Sequence, residues 1–170
     1  MIRFQEKPLH WVGSSKKDLL AFPGDVVDDF GYALNVVQHG ATPPSAKAWR
    51  EKVLTTRCVM REKKLETVDP GSGDVLVDLG FADAGDRKLR AQLSMRLNEL
   101  IADRSLTQAR AAELFGISQP HVSELKNYKL GRFSSERLLH FLTLLDRDVE
   151  IVIRPKAKRH AHGMVTVSVA

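Results

Sequence analysis

The chain has 170 residues, 43% hydrophobic and 28% charged, with a formal net charge of +5. That suits one ordinary domain, or one small domain with an appendage. No run approaches the roughly 18 apolar residues a membrane helix needs, so no membrane partner is expected. The start carries Arg3, Glu6 and Lys7 without the apolar stretch of a secretory signal. The single Cys58 excludes an internal disulfide and suits the reducing cytosol, so a cytoplasmic location is expected. Aromatics at 6% leave little for base-stacking platforms.

The charge is local. Residues 60–86 carry three basic and seven acidic side chains, whereas 118–137 carry four basic and two acidic. The tail adds Arg154, Lys156, Lys158 and Arg159 without an acid. Basic charge so placed is a weak footprint for a polyanion; the plainer reading is a solvated surface.

In chain order, Leu9 to Val12 suits a short strand. "SSKKDLLAF" reads as a helix start, with Ser14 or Ser15 as N-cap and Pro23 as its end. A second helix is predicted from about Asp25 to His39, with Val27, Phe30, Leu34 and Val37 as its buried stripe. Gly40 and "TPP" stop it. "DPGSG" is turn chemistry, and "DVLVDLGF" reads as a short strand or a docking segment. A long helix follows over about 86–103, with Leu89, Leu93, Leu97 and Leu100/Ile101 on one face. Helices over 108–115 and about 119–128 come next, capped by Thr107 and Ser118, then one capped by Ser134 and buried through Leu138, Leu139, Phe141, Leu142 and Leu145. "VEIVIRP" at 149–155 alternates and is β-branched, so it reads as a strand, and "MVTVSV" at 164–169 as a candidate second.

"LTQARAAELFGISQPHVSELKN", 106–127, carries the most specific signal. Ala112 is small where two helices cross, and Gly116 takes a turn in which positive φ is cheap for glycine. Ile117, Val122 and Leu125 point inward. Pro120 is tolerated in the first turn of the second helix. Gln119, His121, Ser123, Glu124 and Asn127 face out near that helix's N-terminal end, as base-reading residues do in a DNA-binding helix-turn-helix. For His121 a plain surface histidine is an equal reading. A helical hairpin serving only as core or as a protein-binding module would not require all these residues together.

The motif resembles the Xre family of prokaryotic repressors, matching along the whole of "TQARAAELFGISQPHVSELKN". The resemblance implies a mainly α fold: a five-helix bundle over about 86–146 with a short C-terminal strand, preceded here by an α-helical hairpin. It gives Gln108 and Ser118 phosphate-positioning roles. It sets Gln119, Ser123 and Glu124 at base edges, with Asn127 on the backbone beyond. Gln pairs with adenine and Glu accepts from cytosine N4; His121 could do either. Glu124 departs in charge, because a carboxylate repels phosphate. Lys129 and Arg132, just after the second helix, are candidate phosphate contacts. Double-stranded DNA is the implied partner and a homodimer the implied assembly, since one recognition helix covers one half-site. Residues 149–155 would pair with their twin, or with "DVLVDLGF".

The front of the chain resembles the N-terminal part of HigB/RelE-like toxins of the phage-derived branch. Gln38, Gly40, Pro43, Ala46 and Lys47 match that pattern, but the sheet expected after Trp49 is missing. Residues 60–170 resemble, in order, the antitoxin of such systems, with Met60 as an original start. The implied organisation is a truncated toxin-like segment and seam (1–59), an acidic linker or docking segment (60–85), the helix-turn-helix domain (86–148), and a strand with a basic tail (149–170). Lacking its sheet, the front is expected to be loosely packed, docked to a partner or partly disordered; a genuine regulatory domain is the competing reading. A repressor of antitoxin type, acting on its own operon, is the implied function. A toxin-neutralising module that binds a cognate toxin, or a residual mRNA-cleaving toxin, are the alternatives.

No catalytic constellation emerges, and no enzyme activity or cofactor is expected. His10, His39, His121, His140, His160 and His162 are scattered without a third ligand, so no metal is expected.

Overall fold

The computed structural model describes residues 7–44 and 67–155, together with 163, 165, 167 and 168. Ala46, Lys47, Trp49, Cys58, Met60 and the basic tail beyond Pro155 lie outside the described residues. Among the described residues there are two short strands and seven helices: β1 (Trp11–Val12), α1 (Ser15–Leu20), α2 (Gly24–Gln38), β2 (Val68–Asp69), α3 (Val75–Asp78), α4 (Ala84–Asp103), α5 (Gln108–Phe115), α6 (Gln119–Lys126) and α7 (Ser135–Leu144). The strands pair antiparallel, Trp11 opposite Asp69 and Val12 opposite Val68.

The N-terminal part is built around α3. Asp74 caps that helix by accepting from Leu76 N at 3.0 Å. Val75, Leu76 and Leu79 bury with Trp11 in one apolar cluster, edged by Leu9, Leu19, Leu34 and Phe81. Trp11 Nε1 donates to Asp78 Oδ2 at 3.0 Å, and Ser72 N to Asp78 Oδ1 at 2.8 Å. Burial alone would raise the Asp78 carboxyl; those bonds outweigh it and hold the group below its ordinary value. "DVLVDLGF" is therefore a helix and a turn, not a strand. The described part of the acidic 60–85 segment docks on this chain's own α2.

Helix α2 forms as predicted, and Val27 and in part Leu34 are buried as expected, but the buried side is shifted from the predicted stripe. Phe30 is 52% exposed and Val37 45%, whereas Val27, Gly31, Tyr32, Asn35, Val36 and Gln38 are buried. The physical reason is that α2 is gripped from two directions, by α3 and by α4. Gly31 allows the first contact: a Cβ there would stand 2.9 Å from the Phe81 ring. Tyr32 enters the main core, and Val36 packs with Met95 and Tyr128.

Gln38 ties three segments together. Its Oε1 accepts from Val75 N at 3.1 Å, while Nε2 donates to Lys7 O at 3.3 Å and Gly73 O at 3.2 Å. Beside it, His39 Nδ1 lies 2.8 Å from Asn35 O and Nε2 lies 3.2 Å from Gln92 Nε2. A carbonyl can only accept, so Nδ1 donates and Nε2 accepts. Gln92 Oε1 is then left for Val167 N, at 3.2 Å.

Helix α4 carries both halves. Ala91 to Met95 are all buried, because one side meets α2 and the others meet α6 and α7. Its predicted leucine face is present, with Leu93, Leu97, Leu100 and Ile101 buried in the main core. Lys88 is also buried and pairs with Asp74 at 3.2 Å. Four helices, α4 to α7, occupy 84–144 where five were expected, and Tyr32 of α2 joins their core.

The C-terminal strand is not formed within the described residues. Residues 149–155 have no ladder partner, and Ile151 and Ile153 are 75% and 92% exposed. Neither of the expected partners is there to pair with: "DVLVDLGF" is helical, and a twin would be another chain. Of 164–169, only 165, 167 and 168 are described, and they form no strand.

Gln38→Ala should lower the free energy of unfolding by about 1–3 kcal/mol, since it leaves the buried Val75 N–H without a partner. Urea unfolding followed by far-UV circular dichroism reads this; an unchanged midpoint would remove the tie from the account.

Candidate nucleic-acid interface

The hairpin of α5 and α6 is set by local chemistry. Thr107 caps α5, its Oγ1 accepting from Arg110 N at 3.2 Å. Ala111 and Ala112 are buried where α5 meets the other helices, and Ile117 N donates to Ala112 O at 3.0 Å. Gly116 sits at φ +63°, and a Cβ there would meet nothing within 4 Å. The preference for glycine is thus a matter of backbone strain alone.

Helix α6 starts at Ser118, whose carbonyl accepts from His121 N at 3.0 Å and Val122 N at 3.2 Å. The expected side-chain cap is absent: the Ser118 hydroxyl makes no bond to the helix amides. Its backbone is extended, with ψ 152°, and that places Pro120 in the first turn without loss of a helical bond. Val122 and Leu125 lock α6 to the core. Its C-terminal end is held from α4, where Ser94 Oγ and Asn98 Nδ2 donate to Leu125 O at 3.3 and 3.4 Å. Stacked Phe115 and Phe141, with ring centroids 4.5 Å apart, support the hairpin from below.

Every residue named from the sequence lies on or next to this hairpin. Ser118, Gln119, Lys129 and Arg132 are exposed; Gln108, His121, Ser123, Glu124 and Asn127 are half-buried. Gln108 lies at the edge of a small hollow that Lys126 shares. The Asn127 amide is turned onto its own helix, donating to Ser123 O at 2.8 Å. Glu124 faces the loop after α6. Its Oε2 is enclosed without a hydrogen bond and stands 3.9 Å from Arg132 Nε.

Two groups of this surface were missed. Lys126 is exposed in the last turn of α6, seven residues after Gln119, so helical periodicity sets it on the Gln119 face. Asp25 and Asp29 of α2 line a hollow of about 350 Å³ with Glu124, Lys129, Gly131 and Arg132. Asp29 Oδ2 lies 3.0 Å from Lys129 Nζ. Nothing local signals that approach, because the partners are 100 residues apart in the chain.

Among the described residues no group of three or more His, Cys, Asp or Glu side chains could hold a metal ion, and no helix is long and apolar enough to cross a membrane.

The sequence model of a helix-turn-helix domain family matches residues 75–154. A solved structure described as an XRE-family transcriptional regulator is 48% identical in sequence, with 52% of this chain and 99% of that chain covered and a TM-score of 0.49. No curated protein matches the chain.

Proposed function

Because this chain belongs, through its C-terminal half, to the Xre-type helix-turn-helix regulators, we propose that it is a sequence-specific repressor of antitoxin type acting on its own operon. The observation that supports this most is the mounting of α6. The helix is pinned by Val122, Leu125 and the bonds from α4, while Gln119 and Lys126 stand in solvent on one face. A rigid helix with an outward hydrogen-bonding face is what major-groove reading requires.

In this reading Gln108 and Ser118 position the protein on phosphates. Gln119 and Ser123 meet base edges, with His121 beside them, and Asn127 meets the backbone beyond. Lys129 and Arg132 supply the charge term. Glu124 stands at the margin and has to leave Arg132 to accept from a cytosine amine. The front of the chain is the remnant of a toxin. Its Gln38 now serves to hold α3 and Lys7 in place. The described part of the acidic segment is occupied by α2, which favours DNA over a basic toxin as the main partner.

Two copies of the chain form the working unit, joined through 149–155, where the exposed Ile151, Val152 and Ile153 want an apolar partner. Sedimentation at micromolar concentration should give the mass of two chains, and Ile153→Asp should shift it toward one. A wild-type chain that sediments as a monomer contradicts the dimer.

Gln119→Ala should cost roughly 1–3 kcal/mol on duplexes carrying the preferred base pairs and little on duplexes altered at those pairs. Arg132→Ala should weaken all duplexes alike and flatten the salt dependence. Intact sequence preference in the Gln119→Ala chain would remove α6 from the base-reading role.

A further inference from the structure

The N-terminal segment brings acid to the surface that the DNA reading needs for phosphate. Asp29 of α2 holds Lys129 at 3.0 Å, and Asp25 lines the same hollow one turn earlier. The Lys129 and Asp29 side chains are 59% and 47% exposed, so a competing anion can reach the pair. An ammonium bonds a carboxylate and a phosphate through the same kind of oxygen contact. Asp29 is the first cause, through its hydrogen bond and then its charge, of the raised Lys129 pKa; Asp25 adds to it by charge alone.

The acids cannot drift away from this place. Tyr128, next to Lys129, is buried against Val36 of α2 and Met95 of α4. Lys129 N donates to Glu124 O at 2.9 Å, which fixes the start of the loop. These contacts hold the loop against α2, with the two carboxylates within a Debye length of any phosphate that Lys129 could touch.

We propose that α2 is a built-in competitor of DNA: Asp29 occupies Lys129 in the free chain, and Asp25 beside it joins Asp29 in repelling the phosphate backbone, so the N-terminal segment lowers the affinity of the helix-turn-helix it is attached to. This rests on the DNA-binding reading above. It makes residues 24–38 a device that sets operator affinity, not a passenger.

The test is fluorescence anisotropy of the full chain and its Asp25→Asn/Asp29→Asn variant on a labelled duplex from upstream of the gene, over a range of salt. Thermal melting checks that both are folded. The variant should bind roughly two- to fivefold more tightly at low salt, the scale of one exposed ion pair. Its slope of log affinity against log salt should be steeper by about 0.9, as for one more phosphate contact. Asp29→Asn alone should move both in the same direction. The gain should shrink when Lys129 is also replaced by alanine, to the part that comes from carboxylate–phosphate repulsion alone. Unchanged affinity in the variant overturns the proposal, and weaker affinity does too, by making Asp29 a support for Lys129. A gain of the same size in the Lys129→Ala background overturns the pairing mechanism. If neither chain binds DNA, the DNA reading fails and takes the proposal with it; if the wild type binds and the variant binds no better, only the proposal fails.

Discussion

A helix packed on opposite sides buries polar groups along with apolar ones, and α4 is such a helix. Lys88, Gln92 and Ser94 are all buried, so each needs a partner from another element. Lys88 finds Asp74 at the start of α3, Gln92 finds His39 at the end of α2, and Ser94 finds the carbonyl of Leu125 in α6. These three bonds set the relative places of the front segment and the α5–α6 hairpin. Leucine packing around α4 supplies most of the stabilisation, but it is non-directional. The polar partners define which neighbour lies where.

The front segment follows from that constraint. On its own it is too small for a self-sufficient core. It borrows α4 as a wall, sends Tyr32 into the main core, and uses Val36 to cover Tyr128. Arg87 stitches the seam, paired with Asp28 of α2 at 3.0 Å and lying over the Phe81 ring at 4.0 Å. One consequence is electrostatic. Fixing α2 against α4 also fixes its acidic first turns beside the loop that follows α6.

The hairpin was legible in the sequence because its determinants are local. Thr107, Ala112 and Gly116 each answer a steric or capping need set by immediate neighbours, and all three occupy the places those needs assign. Helix α2 was legible as a helix but not as a surface. Val27, Phe30, Leu34 and Val37 make an apolar stripe by periodicity, yet the buried arc includes Asn35 and Gln38, whose partners lie on other elements. Residues 149–155 show the opposite failure: alternation predicts a strand, but a strand needs a ladder partner, and none is present within the described residues. Of the two readings of "DVLVDLGF", docking holds and the strand fails, because a four-residue helix has too few turns to show a period, although the Asp74 cap was there to find. The Asp29–Lys129 pair was out of reach, since it depends on how two distant elements pack.

The most direct test of the account is fluorescence anisotropy of the full chain on DNA from upstream of its own gene, set against a scrambled duplex of the same composition at two salt concentrations. The account predicts preference for the native duplex, with binding to both weakening as salt rises. Equal, weak binding to the two duplexes would contradict it, because α6 would then be a well-mounted helix that reads no sequence.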